Sequence, residues 1–411
     1  MTASLSAATS YAAEPLNLEE ALATALKSHP LVIEAKENLN GAEARTGQAL
    51  ANYYPQISIA ADWSKGRSFL TPLESIRTTE VNTDALYLKQ TIYDFGRTAG
   101  AVDAARGNRE AAVKTIAITR QDLALRVKSG FYLLLASEKQ VVATRETVRA
   151  REEVYQQAKE FFNQGIRAKV DVARAEANLF AARTALIRAE NNREIARVEL
   201  ANAMGIASLG ERTLAEPSAV SLPLPERSQS QLDAVNNRPE LQQAAALKVA
   251  ANANLKSAKS SYLPILSGTA SIGYAERDFP PTGNVWGVGL DLTMPLFSGF
   301  SSIEQVREAR ASIGAIEARQ NNLNLQIVKE VESAWLGVRE SSARMVSTAK
   351  EAAAAEENRV LAEERYHEGV GSIIEVTDAE SLALDAQTAR IQAQYDYYTA
   401  LALLDRAVGK E

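Results

Sequence analysis

The chain has 411 residues, 46% of them hydrophobic, with 45 basic and 51 acidic side chains, a net charge of −6 and no cysteine. This composition allows sizeable cores, and no basic block tracks a phosphate backbone, so nucleic acid is not an expected partner. The missing cysteines exclude disulfides, thiol nucleophiles, cysteine-ligated zinc and an N-terminal cysteine lipid anchor. No apolar run approaches the ~20 residues of a transmembrane helix, so a closed β-barrel is the one way this sequence can cross a membrane.

In chain order, residues 1–13 (MTASLSAATSYAA) end like a signal cleavage site but lack a basic start and a long apolar core. They read as a signal remnant or disordered tail. A first repeat is expected over 14–204. Asn17 followed by Glu20 forms a capping-box pattern at its first helix. Beyond Tyr54-Pro55, strands are expected at 56–64 and 84–93, separated by a polar loop at 65–83. In the first of them Ile57, Ile59, Ala61 and Trp63 alternate with Ser58, Ala60, Asp62 and Ser64.

Residues 97–163 hold no proline and read as one helix, which at 1.5 Å per residue extends ~100 Å. A glycine turn, FNQGIRAK, centres on Gly165 and returns the chain antiparallel, so 97–203 is a helical hairpin. A proline- and serine-rich connector spans 205–230. The second repeat, 231–411, follows the same order: strands at 265–274 and 285–297, then a hairpin at 300–408 turning in YHEGVGSI at Gly369.

The repeats register at fixed offsets. His29-Pro30 matches Arg238-Pro239 and Tyr54-Pro55 matches Leu263-Pro264, both 209 apart. Gly165 matches Gly369 and Phe131 matches Trp335, both 204 apart. Ala175, Ala182, Ala189, Ala196 and Ala203 recur every seven residues, as do Ala379, Ala386, Ala393, Ala400 and Ala407. A strict seven-residue period implies left-handed supercoiling, and alanine at the seam lets helix backbones approach closely. Val127, Leu134, Val141, Val148, Tyr155 and Phe162 form a matching series in the preceding helix.

Chemistry is sparse. His29 and His367 are the two histidines and fall in unrelated parts of the repeat, so neither a metal cluster nor a catalytic triad is expected, and no phosphate-binding or zinc-protease pattern occurs. No cofactor is implied, and the chain does not read as an enzyme. Asp94 and Ser298 fit helix N-caps, with adjacent glycine easing the bend. Glu375 and Asp378, three residues apart, share one face of a helix start, where acids complement its dipole.

The order LNLEEALATALKSHP, ANYYP, QTIYDFGR and FNQGIRAKVDVARAEANL, repeated as NNRPEL, SSYLP, MPLFSGF and YHEGVGSIIEVTDAESL, resembles the TolC-type outer membrane efflux protein family over nearly the whole chain. Four strands cannot close a barrel, since about eight is the practical minimum, so the chain must associate around an axis. The resemblance implies an α+β membrane protein: a homotrimer with a twelve-stranded β-barrel, four strands per chain, in the outer membrane of a Gram-negative bacterium. The barrel continues into a twelve-helix tunnel in the periplasm. It implies a passive exit channel for efflux or type I secretion, docked by a periplasmic adaptor and an inner membrane transporter of RND, ABC or MFS type.

Carried over by position, Glu375 and Asp378 would form acidic rings at the periplasmic entrance, and Tyr366 and Asp171 a latch. Gly371 stands where the family's latch has an arginine. The tips at Gly165 and Gly369 would meet the adaptor, and Trp63, Tyr87, Tyr274 and Trp286 would sit at the lipid interface. The competing expectation is a soluble coiled-coil scaffold with incidental β segments.

Overall fold

The computed structural model describes residues 15–70, 75–217 and 226–411. The expected signal remnant at 1–13 lies outside them. Eight helices and four strands are named in chain order: α1 (Leu18–Ser28), α2 (Pro30–Leu50), β1 (Gln56–Leu70), β2 (Ser75–Tyr93), α3 (Arg97–Asn163), α4 (Lys169–Met204), α5 (Arg227–Asn237), α6 (Pro239–Lys259), β3 (Ile265–Glu276), β4 (Asn284–Thr293), α7 (Ser301–His367) and α8 (Ile373–Ala407). No described helix is long and apolar enough to cross a membrane.

The chain forms two compact units, and neither follows a repeat. Among the described residues, one holds those within 15–34, 116–239 and 324–411, the other those within 35–115 and 240–323.

In the first unit the seam alanines are buried. Ala175, Ala182, Ala196 and Ala203 are at most 3% exposed, and Ala379, Ala386, Ala393 and Ala407 at most 5%. Opposite them Val127, Leu134 and Val141 are buried, but further along the same series Phe162 is 40% exposed, so the seam loosens toward the turn. This unit carries an aromatic core: Phe131, Tyr132, Tyr395, Tyr397 and Tyr398 pack with Leu200 and Met204. Asn17 caps α1 by accepting from the Glu20 amide at 2.7 Å. Glu20 does not close the capping box; its carboxylate takes a two-pronged hydrogen bond from Arg212 at 2.8 Å instead. His29 is buried, and its Nδ1 accepts the Leu31 amide at 3.1 Å, which makes it the cap of α2 rather than a ligand.

In the second unit the four strands form one antiparallel sheet in the order β1-β2-β3-β4. Its strands are longer at one end than the sequence suggests. β1 continues to Leu70 rather than stopping at 64, and β2 starts at Ser75 rather than 84. Most of the expected loop at 65–83 is therefore paired strand, Lys65 opposite Glu80 and Arg67 opposite Thr78. Polar residues there satisfy a pleated ladder as well as apolar ones do. β4 ends at Thr293, before Pro295, rather than at 297.

Helix α3 meets α6 in this unit at unusually close range. A Cβ added at Gly107 would come within 2.9 Å of the Ala250 backbone nitrogen. Gly107→Ala is therefore expected to lower stability by ~1–3 kcal/mol through overpacking, although helix propensity alone favours alanine by ~1 kcal/mol. Thermal unfolding followed by helical circular dichroism gives the sign.

Candidate functional site

Two places gather the residues singled out by the sequence: one face of the sheet and the turns of the two long hairpins.

Strand register sorts the sheet into two faces, because paired residues project to the same side. Ile57 pairs with Leu88, Ile59 with Leu86, and Trp63 with Asn82. Leu86 pairs with Ile272 and Asp84 with Tyr274. Ile272 pairs with Trp286, Ala270 with Val288, and Leu266 with Leu292. All of these lie on one face, and Trp286, Val288, Leu290 and Leu292 are 69–79% exposed on it. The other face carries Ser58, Ser271, Thr269 and Asp291, with the Thr269 hydroxyl 3.2 Å from the Asp291 carboxylate. One face is apolar and the other polar, as a lipid-facing barrel wall requires.

Trp63, Tyr274 and Trp286 stand on the apolar face toward the far end of the sheet. Trp63 donates its indole N–H to Glu80 at 3.2 Å, and Lys65 pairs with Glu80 at 2.9 Å. An apolar ring with a polar tip fits an interface between hydrocarbon and water. Tyr87 does not belong with them. It pairs with Ser58 and Ser271 on the polar face, one residue out of phase with Leu86 and Leu88. The sequence reading also missed a second aromatic group at the helix end of the sheet. There Tyr93 and Phe95 meet edge-to-face at 4.6 Å, as do Phe297 and Phe300 at 5.5 Å. The segments YDFG and LFSGF held the signal.

These strand-to-helix joints share a backbone device. Phe95 and Gly96 both have positive φ, and so do Gly299 and Phe300 at the matching positions, with glycine and phenylalanine exchanged. Left-handed phenylalanine is disfavoured by ~1–2 kcal/mol, so the bend is fixed by its surroundings. Asp94 accepts the Thr98 amide at 2.7 Å and the Gly96 amide at 3.1 Å, and Ser298 accepts the Ser302 amide at 3.4 Å, as expected of caps.

At the hairpin turns Gly165 and Gly369 both take the left-handed conformation. Tyr366, the last large residue of α7, is 1% exposed and packs among Ala158, Ala175, Ile373 and Val376. Phe161 meets its ring edge-on at 5.8 Å. Its hydroxyl has no hydrogen-bond partner in the chain. Burial, and then the nearby Asp171 carboxylate, push the phenol pKa up, while Arg167 opposes them. The bond expected between Tyr366 and Asp171 is therefore not made: packing holds the ring, and the carboxylate is a neighbour.

Arg167 makes the connection instead. From the first turn it donates to the Gly369 carbonyl at 3.0 Å and the Gly371 carbonyl at 2.6 Å, and its guanidinium lies 5.8 Å from the centre of the Tyr366 ring. Gly371 has no room for a side chain. A Cβ there would come within 2.9 Å of the Arg365 carbonyl carbon and the Tyr366 nitrogen. The arginine absent from position 371 is thus matched by one reaching across from the other turn. Sequence reading could not see it, because its acceptors are main-chain oxygens.

Ser372 caps α8 by accepting the Glu375 amide at 3.2 Å. Glu375 is half-exposed and lies 3.5 Å from Arg365, while Asp378 is exposed. No group of side chains among the described residues could hold a metal ion.

A model of the outer membrane efflux protein family matches residues 21–206 and 232–410, one stretch in each repeat. Protein CyaE of Bordetella pertussis is 26% identical over 405 residues, covering 96% of this chain and 84% of its own. Outer membrane protein TolC of Salmonella enteritidis is 22% identical, covering 93% of this chain and 79% of its own. The Campylobacter jejuni CmeC outer membrane channel has the same fold, with a TM-score of 0.84 at 18% identity over 95% of this chain and 85% of that one. The chain belongs to the outer membrane efflux protein family, whose TolC-type members are channels rather than enzymes, and its place is the Gram-negative outer membrane.

Proposed function

We propose that three copies of this chain form a passive exit duct, taking substrate from an inner membrane transporter through a periplasmic adaptor. The observation that carries this reading is a four-stranded sheet with one strongly apolar exposed face and two unpaired edges, β1 and β4. In hydrocarbon an open sheet edge leaves N–H and C=O groups unsatisfied, so further copies must close it. Twelve strands from three chains give a barrel wide enough to conduct, as in aqueous channels of that class. A soluble scaffold would leave Trp286, Val288, Leu290 and Leu292 in water.

The hairpin turns are the entrance on this reading, and the hairpin tips at Gly165 and Gly369 meet the adaptor. Glu375 and Asp378 repeat around the threefold axis as acidic rings that favour cations, and Tyr366, Asp171 and Gly371 belong to the latch, closed within each chain by Arg167.

Three measurements test these statements. Purified protein in planar bilayers should give discrete conductance steps, and a folded oligomer with none at any voltage would sink the channel reading. The pair Glu375→Gln with Asp378→Asn should lower cation-over-anion selectivity, read from the reversal potential in a salt gradient, without loss of the trimer in light scattering. Arg167→Met removes two hydrogen bonds from a charged group, each worth ~1.5–3 kcal/mol. At the lower end of that range the two together come to ~3 kcal/mol, so the ratio of open to closed is expected to rise about a hundredfold, and an unchanged ratio would remove Arg167 from the latch.

A further inference from the structure

Further along the same hairpins, away from the turns, a carboxylate is buried beside the alanine seam. Glu380 follows Ala379 on the inward side of α8 and is 3% exposed. Arg151 of α3 faces it at 3.4 Å, with 11% of its side chain exposed. The contact is at ion-pair range only. Arg151 Nε has no hydrogen-bond partner, and neither has Glu380 Oε1.

Arg151 is held independently of the carboxylate. Its Nη1 donates to the Asn178 carbonyl of α4 at 3.2 Å, and its Nη2 to the Ser381 hydroxyl of α8 at 3.0 Å. From α7, Glu363 and Arg359 also act on Glu380. Arg359 is engaged by Glu363 and by Glu356, the latter at 2.6 and 2.9 Å, so its charge is largely answered there. From α4 the packing presents the neutral Asn178. Glu380 also lines a cleft of about 600 Å³ with Glu146, Arg149, Glu356 and Arg390, which gives protons a polar route to it.

We propose that Glu380 is a proton-operated tie between the two hairpins: protonated, it keeps α8 packed on α3 as seen here, and deprotonated, it drives α8 outward into water. The proposal rests on the exit-duct reading and names a regulator of that entrance. Its physical basis is the cost of burying a carboxylate one of whose oxygens has no partner, which the Arg151 contact at the other oxygen offsets only in part.

Burial, opposed by the Arg151 charge and reinforced by that of Glu363, pushes the carboxyl pKa up to about 7. A carboxyl raised above its hydrated value of 4.5 stabilises the packed form fully below pH 4.5, and that stabilisation is lost as pH rises through about 7. Between pH 4.5 and about 7 each parting of α8 from α3 releases the proton, and acidification restores the packing.

Between pH 8 and pH 6, open probability in planar bilayers is expected to fall about tenfold for each Glu380 that opening exposes. Glu380→Gln should stay at the low acidic level across this range, with trimer mass and reversal potential unchanged. Arg151→Met leaves the carboxyl without its cation and should move the transition about one pH unit higher. A wild type that is flat from pH 6 to 8, or a Glu380→Gln variant that keeps the wild-type profile, overturns the tie.

Since the chain has no cysteine, spin labels at Glu153→Cys and Asp385→Cys report the same motion without conductance. The label separation should lengthen from pH 6 to pH 8 and stop responding when Glu380→Gln is added. Protein that never conducts but still shows this lengthening would defeat the exit-duct reading and leave the tie standing. Protein that conducts with a constant separation would do the reverse.

Discussion

Close approach of helix backbones along an alanine seam is the constraint on which the rest of this molecule depends. A helix of 67 residues, such as α3 or α7, is far longer than a globular core is wide. It must find its burial along its length, one turn after another. Alanine every seventh residue provides that with little side-chain entropy to lose, and draws the neighbouring helix close enough for continuous packing. The sites of interest fall where the seam changes. Toward the turn Phe162 is exposed and the single ring of Tyr366 fills the space between four short side chains. Beside the seam, at Glu380, a carboxyl group is buried.

The duplication gives two hairpins of one design, and the structure uses their small differences. The first turn starts α4 from Ala168 without a side-chain cap, while the second starts α8 from Ser372 with one. Arg167 belongs to the first turn and its acceptors to the second. One hairpin therefore donates and the other accepts, so the contact has a direction that two identical hairpins would lack. At the strand-to-helix joints the exchange of phenylalanine and glycine does the opposite: different residues meet the same backbone demand.

Periodicity made the long elements legible in the sequence. A proline-free run set the limits of α3, and the seven-residue spacing marked α4 and α8, because a buried stripe must repeat wherever the helix does. Alternation found the four strands but not the ends of β1 and β2, where polar side chains on a ladder look like a loop. Tyr87 shows a second limit. A period of two assigns a face only once the phase is known, and one residue of difference moved it from the apolar to the polar side. Among the site residues, the acids and Tyr366 could be placed by position. Arg167 could not, since a guanidinium bound to carbonyl oxygens leaves no complementary side chain to notice.

Charge near the turns is sorted by burial, and burial decides what each group responds to. Glu375 and Asp378 are in contact with solvent, so their electrostatic influence decays over a Debye length of ~8 Å at physiological ionic strength and weakens as salt rises. Arg167 donates to main-chain carbonyls, which carry no net charge for salt to screen. Glu380 is shielded from salt by the helices around it, and on the proposal above it answers to protons instead. On the proposed reading an entrance with all three would separate its signals: ionic strength would act on which ions enter, proton concentration on whether the hairpins part, and Arg167 would set the floor that both work against.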